Sequence, residues 1–244
     1  MRHPQDVEGD VESKTHAICS ASSSHRWLNC PPSARLQLLY PNRSSVFAQE
    51  GTYVHELCEH KLRSHFYKVL EPMPYNEWFY NAEAERNSTL YAELVIKEYT
   101  RLSREYGEAR VLVEERLDFS HIVPYGFGTG DAVVISPGEI HIFDYKNGKG
   151  VFVEVGHNPQ MMLYALGAIH MYDADYKLIH MTIVQPRLDN IDTFTMTKEE
   201  LLAWGEEVKP IAELAWQGKG RTVPGDWCKF CAHKYNCRPY LKEE

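Results

Sequence analysis

The chain has no uninterrupted run of about 18 apolar residues, the length that a membrane-spanning helix requires, so no such helix is expected. Residues 1–24 are polar and lack the apolar core of a secretion signal, which predicts a cytoplasmic, reducing setting. In such a setting six cysteines are expected to be ligands or free thiols, because disulfides do not persist there. Basic residues are in deficit: Lys and Arg total 26 against 34 acidic residues, a formal charge of −8. That balance excludes a broadly basic nucleic-acid-binding surface, so a nucleic-acid partner would need locally concentrated cations or bound metal ions. Neither an ATP-binding phosphate loop nor an internal repeat is present, which argues against an ATP-driven motor and against a solenoid.

What is present suffices for one sizeable core: 244 residues with 43% hydrophobic content. Residues 1–22, acidic and serine-rich, read as a flexible leader, and residues 23–244 as a single domain. Residues 45–67 carry an apolar stripe at helical spacing (Val54, Leu57, Cys58, Leu62 and Phe66). A second helix is expected over 75–106, broken near Asn87-Ser88. After Gly107 the pattern turns strand-like at 111–119, then 129–136 and 139–146. A helix at 159–171, strands at 178–185 and 193–196, and a helix at 197–216 opened by a Thr197/Glu200 capping box complete the order. The fold class is α/β, with a small mixed β-sheet flanked by helices.

The chemistry concentrates in the hairpin closed by Pro137-Gly138. Pairing 129–136 with 139–146 sets Asp131 opposite Asp144, where directly opposed side chains stand about 4.5–5.5 Å apart at Cβ. Two carboxylates at that spacing repel unless a cation lies between them, and a divalent metal is the obvious candidate. Lys146, two residues beyond Asp144, falls on the same face. The rest of that face is apolar: Val133, Ile135, Ile140 and Ile142. The tripeptide Asp144-Tyr145-Lys146 recurs as Asp175-Tyr176-Lys177, but that copy precedes an apolar run and has no facing carboxylate, so it reads as a decoy. Glu114 or Glu115, on the preceding strand, could add a carboxylate near the site, but a solvated strand position is the preferred reading.

A second constellation lies at the C-terminal end. Cys228, Cys231 and Cys237 have C-x2-C-x5-C spacing, and a fourth thiolate is available from Cys19, Cys30 or Cys58. Cys58 belongs to a helical apolar stripe; Cys30, stiffened by Pro31 and Pro32, is the better choice. Zinc and an iron–sulfur cluster both suit four thiolates, and His233 keeps a three-cysteine, one-histidine zinc site open. Either site would join the two ends of the domain and close a loop of roughly 200 residues.

Together these residues resemble the RecB-like branch of the PD-(D/E)xK nuclease superfamily in its iron–sulfur form: CRISPR-associated exonucleases, the AddB nuclease domain and phage-encoded relatives. The resemblance spans residues 22–239. It implies a restriction-endonuclease-like core and a [4Fe-4S] cluster on Cys30, Cys228, Cys231 and Cys237. The family's helical histidine matches His55 in Gly51-Thr52-Tyr53-Val54-His55-Glu56, its two acids match Asp131 and Asp144, its lysine matches Lys146, and its following helix matches at Gln160 and Tyr164. Many relatives carry Glu where this chain has Asp144; both ligate metal.

The activity implied is metal-dependent hydrolysis of DNA phosphodiester bonds from an end, in phage or mobile-element recombination or replication within a bacterial host's cytoplasm. Mg²⁺ or Mn²⁺ would be held by Asp131, Asp144 and the Tyr145 carbonyl, with His55 as an extra ligand. Lys146 would orient or deprotonate the attacking water. DNA is the implied substrate, single-stranded or at duplex ends, with a single-strand-binding or annealing protein as partner. Trp27, Trp227 and Tyr235 are candidates for stacking on bases. The alternative is a catalytically inactive DNA-binding or assembly module that keeps a structural four-cysteine site.

Overall fold

The computed structural model describes residues 17–41, 45–68, 71–172 and 174–242. Two short helices, α1 (Ser24–Asn29) and α2 (Ser33–Leu36), lead into the long helices α3 (Val46–Tyr67) and α4 (Ala82–Tyr106). Strands β1 (Arg110–Asp118), β2 (Phe127–Ile135) and β3 (Glu139–Tyr145) follow, then α5 (Pro159–Met171), β4 (Leu178–Gln185), β5 (Asn190–Thr197) and α6 (Lys198–Gln217). The strands form one mixed sheet in the order β1-β2-β3-β4-β5. Only β3 and β4 run parallel, because α5 carries the chain back over the sheet between them. No helix among the described residues is long and apolar enough to cross a membrane.

The sheet separates two apolar layers. On one face Val133, Ile135, Ile140 and Ile142 pack with α5 and α6 residues such as Met161, Leu166 and Val208. On the other, Val111, Val113, Ala132, Val134 and Phe143 meet the α3 and α4 stripe of Leu57, Leu62, Tyr91 and Val95. The hairpin keeps the expected register, with Ala132 opposite Phe143, Val133 opposite Ile142 and Ile135 opposite Ile140. A Cβ at Gly138 would come within 2.6 Å of the Tyr106 ring, so glycine there lets the turn sit under the end of α4.

Several boundaries differ from expectation. The second long helix starts at Ala82, not near 75, because Asn81 caps it by accepting hydrogen bonds from the Glu83 and Ala84 N–H groups, both at 2.9 Å. It then runs unbroken through Asn87-Ser88; the Ser88 hydroxyl is satisfied by the Glu85 carbonyl at 3.1 Å and the residue is buried. The leader is also shorter than 1–22. Cys19 and Ala21 are each 1% exposed, and Ser20 accepts a hydrogen bond from Trp27 Nε1 at 2.9 Å. Residues 1–16 of that leader lie outside the described residues. The strand expected at 193–196 extends over 190–197, paired along its length with β4.

Candidate metal centre

The ladder between β2 and β3 ends at Ala132–Phe143, one step before the two aspartates. At that step Asp131 Oδ2 accepts the Tyr145 main-chain N–H at 2.7 Å, so a carboxylate replaces a strand partner. Asp144 stays buried, 2% exposed, on the α5 side of the sheet. Its Oδ2 meets Lys146 Nζ at 2.7 Å and its Oδ1 accepts Gln160 Nε2 at 2.8 Å. Lys146 Nζ in turn donates to Gln160 Oε1 at 3.1 Å, which closes a ring of three side chains.

Gln160 reaches this position because Asn158 caps α5, accepting from the Gln160 and Met161 N–H groups, with Pro159 preset for the first turn. One turn on, the Tyr164 hydroxyl lies 3.4 Å from Gln160 Nε2. Burial pushes the Tyr164 phenol well above its ordinary range, and the Asp144 and Asp131 charges add to that. The ring fits against β2 because residue 128 is glycine, where a Cβ would stand 2.6 Å from it.

His55 approaches from the opposite face. It lies beside the buried α3 stripe, half-exposed, with Nδ1 3.4 Å from Asp131 Oδ2 and its ring edge-on to Tyr145 at 5.5 Å. The Tyr145 side chain is buried between α3 and α4, and its hydroxyl donates to Asn147 Oδ1 at 3.2 Å. Burial raises the Asp131 carboxyl to about 6; His55 opposes that rise and Asp144 adds to it.

Glu114 belongs to this group, contrary to its reading as a solvated strand position. It stands opposite Asp131 in the β1–β2 register, between the pairs Val113–Ala132 and Glu115–Gly130. Its backbone is left-handed, φ 52°, which is unusual for a residue with a Cβ and costs energy. Its ligand oxygen, an Asp131 oxygen and a His55 nitrogen all lie within 4.8 Å of one another. Burial raises the Glu114 carboxyl to about 8, with Asp131 and Glu59 adding to the rise and Arg63 opposing it. The sequence held one signal: a carboxylate inside an apolar strand, at the position that faces Asp131 once the two strands are aligned by their apolar residues.

The donor set is therefore oxygen-rich with one imidazole. Hard divalent cations such as Mg²⁺ and Mn²⁺ suit it, whereas a soft ion selects thiolates. Asp175 and Lys177 of the repeated tripeptide are exposed beside the Gly138 turn, where Lys177 N–H donates to the Gly138 carbonyl at 2.9 Å.

Cys30, Cys228, Cys231 and Cys237 line one pocket together with Arg26 and His233. Among the described residues, no three of these sulfurs lie within 4.8 Å of one another. His233 Nδ1 is engaged by the Tyr40 hydroxyl at 2.9 Å. Burial lowers the Arg26 pKa, and the Cys231, Cys30 and Cys228 thiols beside it oppose that shift. Cys19 and Cys58 are buried elsewhere in the two apolar layers.

Of the stacking candidates, Trp27 is fully buried and unavailable to a base. Trp227 is half-buried and donates its Nε1–H to the Val223 carbonyl at 2.8 Å, while Tyr235 is 74% exposed.

Among solved structures, the crystal structure of SSO0001 is similar to this chain at 15% identity and a TM-score of 0.32, over 89% of this chain and 97% of that one. Residues 16–244 match the family model described as "Protein of unknown function (DUF2800)", and the chain belongs to that family.

Proposed function

We propose that this chain is a metal-dependent DNA exonuclease with a PD-(D/E)xK core of the RecB-like kind. The observation that carries the reading is the arrangement of Asp131, Asp144 and Lys146 at one end of the hairpin, with Gln160 bonded to both Asp144 and Lys146. A buried acid, a second one largely shielded and a lysine contribute little to stability there, since their desolvation costs several kcal/mol unless a cation is shared.

Asp131, Asp144 and the Tyr145 carbonyl would hold Mg²⁺ or Mn²⁺, with His55 and Glu114 extending the donor set. When bound, the ion supplies Lewis-acid polarisation of a phosphoryl oxygen and of water. Lys146 orients the attacking water and offsets negative charge on the phosphate. Gln160 fixes the ammonium against Asp144, so that one Lys146 geometry dominates. Tyr164, held neutral by burial, accepts from Gln160 Nε2 at 3.4 Å and keeps its hydroxyl hydrogen for a further hydrogen bond.

The four-cysteine pocket is read as the seat of a [4Fe-4S] cluster, with zinc as the alternative occupant. Such a cluster would brace the ends of the domain, since hydrolysis needs no electron transfer. A role in processing mobile or phage DNA, with a single-strand-binding or annealing protein, follows from the same reading.

The test is degradation of end-labelled single-stranded and duplex DNA with Mg²⁺ or Mn²⁺. Wild type should shorten the label progressively and Asp144→Ala should not; equal behaviour of the two removes the enzyme reading.

A further inference from the structure

Between Lys146 and α5 the chain runs through a loop, and buried amides fix its first half. Gln185, 1% exposed at the end of β4, donates Nε2–H to the Gly148 and Val151 carbonyls, both at 2.8 Å, and accepts the Val153 N–H at 3.1 Å. Asn190, also buried, donates to the Val153 carbonyl at 2.9 Å. Burying two amides for a surface segment is costly unless each hydrogen bond is made. The loop is therefore a fixed platform.

The platform holds an aromatic ring away from any core: Phe152 is 53% exposed, and Lys149 beside it is exposed as well. Arg187 ties the start of the loop to the first turns of α3, donating to the Asn147 carbonyl at 3.5 Å and to Glu50 at 3.0 and 2.6 Å. Gly51, whose Cβ would stand 3.9 Å from Asn147, is one helical turn before His55 on the same face. The loop thus borders the His55 side of the metal centre.

Gly148 and Gly150 add an independent observation. Neither has a left-handed φ, and a Cβ at either would meet nothing within 4 Å. Neither the fold's backbone geometry nor its packing requires glycine at these positions. Bare main chain on an open surface next to a catalytic lysine permits close approach by another molecule.

We propose that residues 148–152 are the contact surface for an unpaired nucleic-acid strand end: Phe152 stacks on a base, Lys149 meets a phosphate, and the two glycines leave room for the sugar–phosphate chain. This rests on the nuclease reading and assigns the part of the chain that selects a strand over a small phosphodiester.

Two measurements separate the inference from the reading beneath it. Binding of a short fluorescein-labelled single-stranded oligonucleotide is followed by anisotropy with Mn²⁺ in a Lys146→Ala background, which blocks cleavage. Hydrolysis of the p-nitrophenyl ester of thymidine 5′-monophosphate is followed with Lys146 intact. Phe152→Ala should weaken oligonucleotide binding about five-fold or more, the loss of one stacked base. Gly150→Ala and Lys149→Ala should weaken it as well, and all three should leave ester hydrolysis and thermal stability unchanged. Undiminished binding in Phe152→Ala and Lys149→Ala, or no binding by the parent protein, overturns the inference; absence of ester hydrolysis in wild type counts against the nuclease reading instead.

Discussion

The main-chain N–H of Tyr145 donates to Asp131 Oδ2 at 2.7 Å, where β2 and β3 stop pairing. One carboxylate thus ends the ladder and opens the sheet where Asp144 and Lys146 emerge. Replacing it with an amide keeps an acceptor for the N–H but removes a buried charge. Asp131→Asn should stabilise the metal-free protein at pH 8 by about 1–2 kcal/mol and abolish Mn²⁺ binding. Urea unfolding and calorimetric titration check the two halves.

Glu114 predicts the pH dependence of the metal-free protein. Its folded carboxyl is raised to about 8 and that of Asp131 to about 6, while the unfolded chain releases both protons near the ordinary carboxylate range. Between that range and the folded values the native state binds more protons, so this pair makes stability fall as pH rises. Urea midpoints measured from about pH 5 to about pH 8 should decline, and Glu114→Gln should flatten the decline.

Divalent ions should cancel that loss. A ligand bound only by the folded state stabilises by about 2.7 kcal/mol at a hundred-fold excess over Kd. The rise in melting temperature on adding Mn²⁺ should be larger at high pH, where the carboxyls are ionised, and absent from Asp131→Asn.

Gln160→Leu tests positioning. The residue lies at the first turn of α5, so the helix and its Asn158 cap remain. Lys146 loses its lateral partner, and kcat on DNA should fall about 10–100-fold with KM little changed, as expected for a misplaced catalytic group. A Gln160→Leu enzyme with wild-type kcat removes Gln160 from the site.

Protein purified anaerobically should be brown with broad visible absorption, and Cys30→Ser should bleach it. A colourless preparation with stoichiometric zinc would assign the cysteine pocket to zinc.

Much of this arrangement was legible because it depends on local rules. The hairpin register followed from an alternating apolar face, since a one-residue slip would have sent Val133 and Ile142 to the wrong layer. The helix start at Pro159 and the Thr197/Glu200 box are reproduced by the structure, the latter with both reciprocal bonds. The start of α4 was harder to read because residues 75–80 are rich in aromatics that resemble a helical stripe, yet Tyr75 and Trp78 are 72% and 83% exposed. Glu114 was ranked below a solvated position for a different reason. Strand alternation gave it a face but not a left-handed backbone, and burial next to another acid is a property of the assembled sheet. Cys19 and Ala21 looked like leader because so short a stretch of small or apolar residues is too brief to show a period.

The single parallel pairing in the sheet sets an order of assembly. The hairpin bearing both aspartates joins segments adjacent in the chain and is entropically cheap to close. Lys146 is different: its N–H bonds to the Val184 carbonyl at 2.8 Å, a contact that exists only after α5 has crossed the sheet and β4 has docked. Non-local pairings of this kind form late and slowly. The two acids are therefore brought together before the lysine that balances them is fixed, and a substitution that delays docking of β4 should slow the appearance of activity during refolding more than the recovery of helix signal.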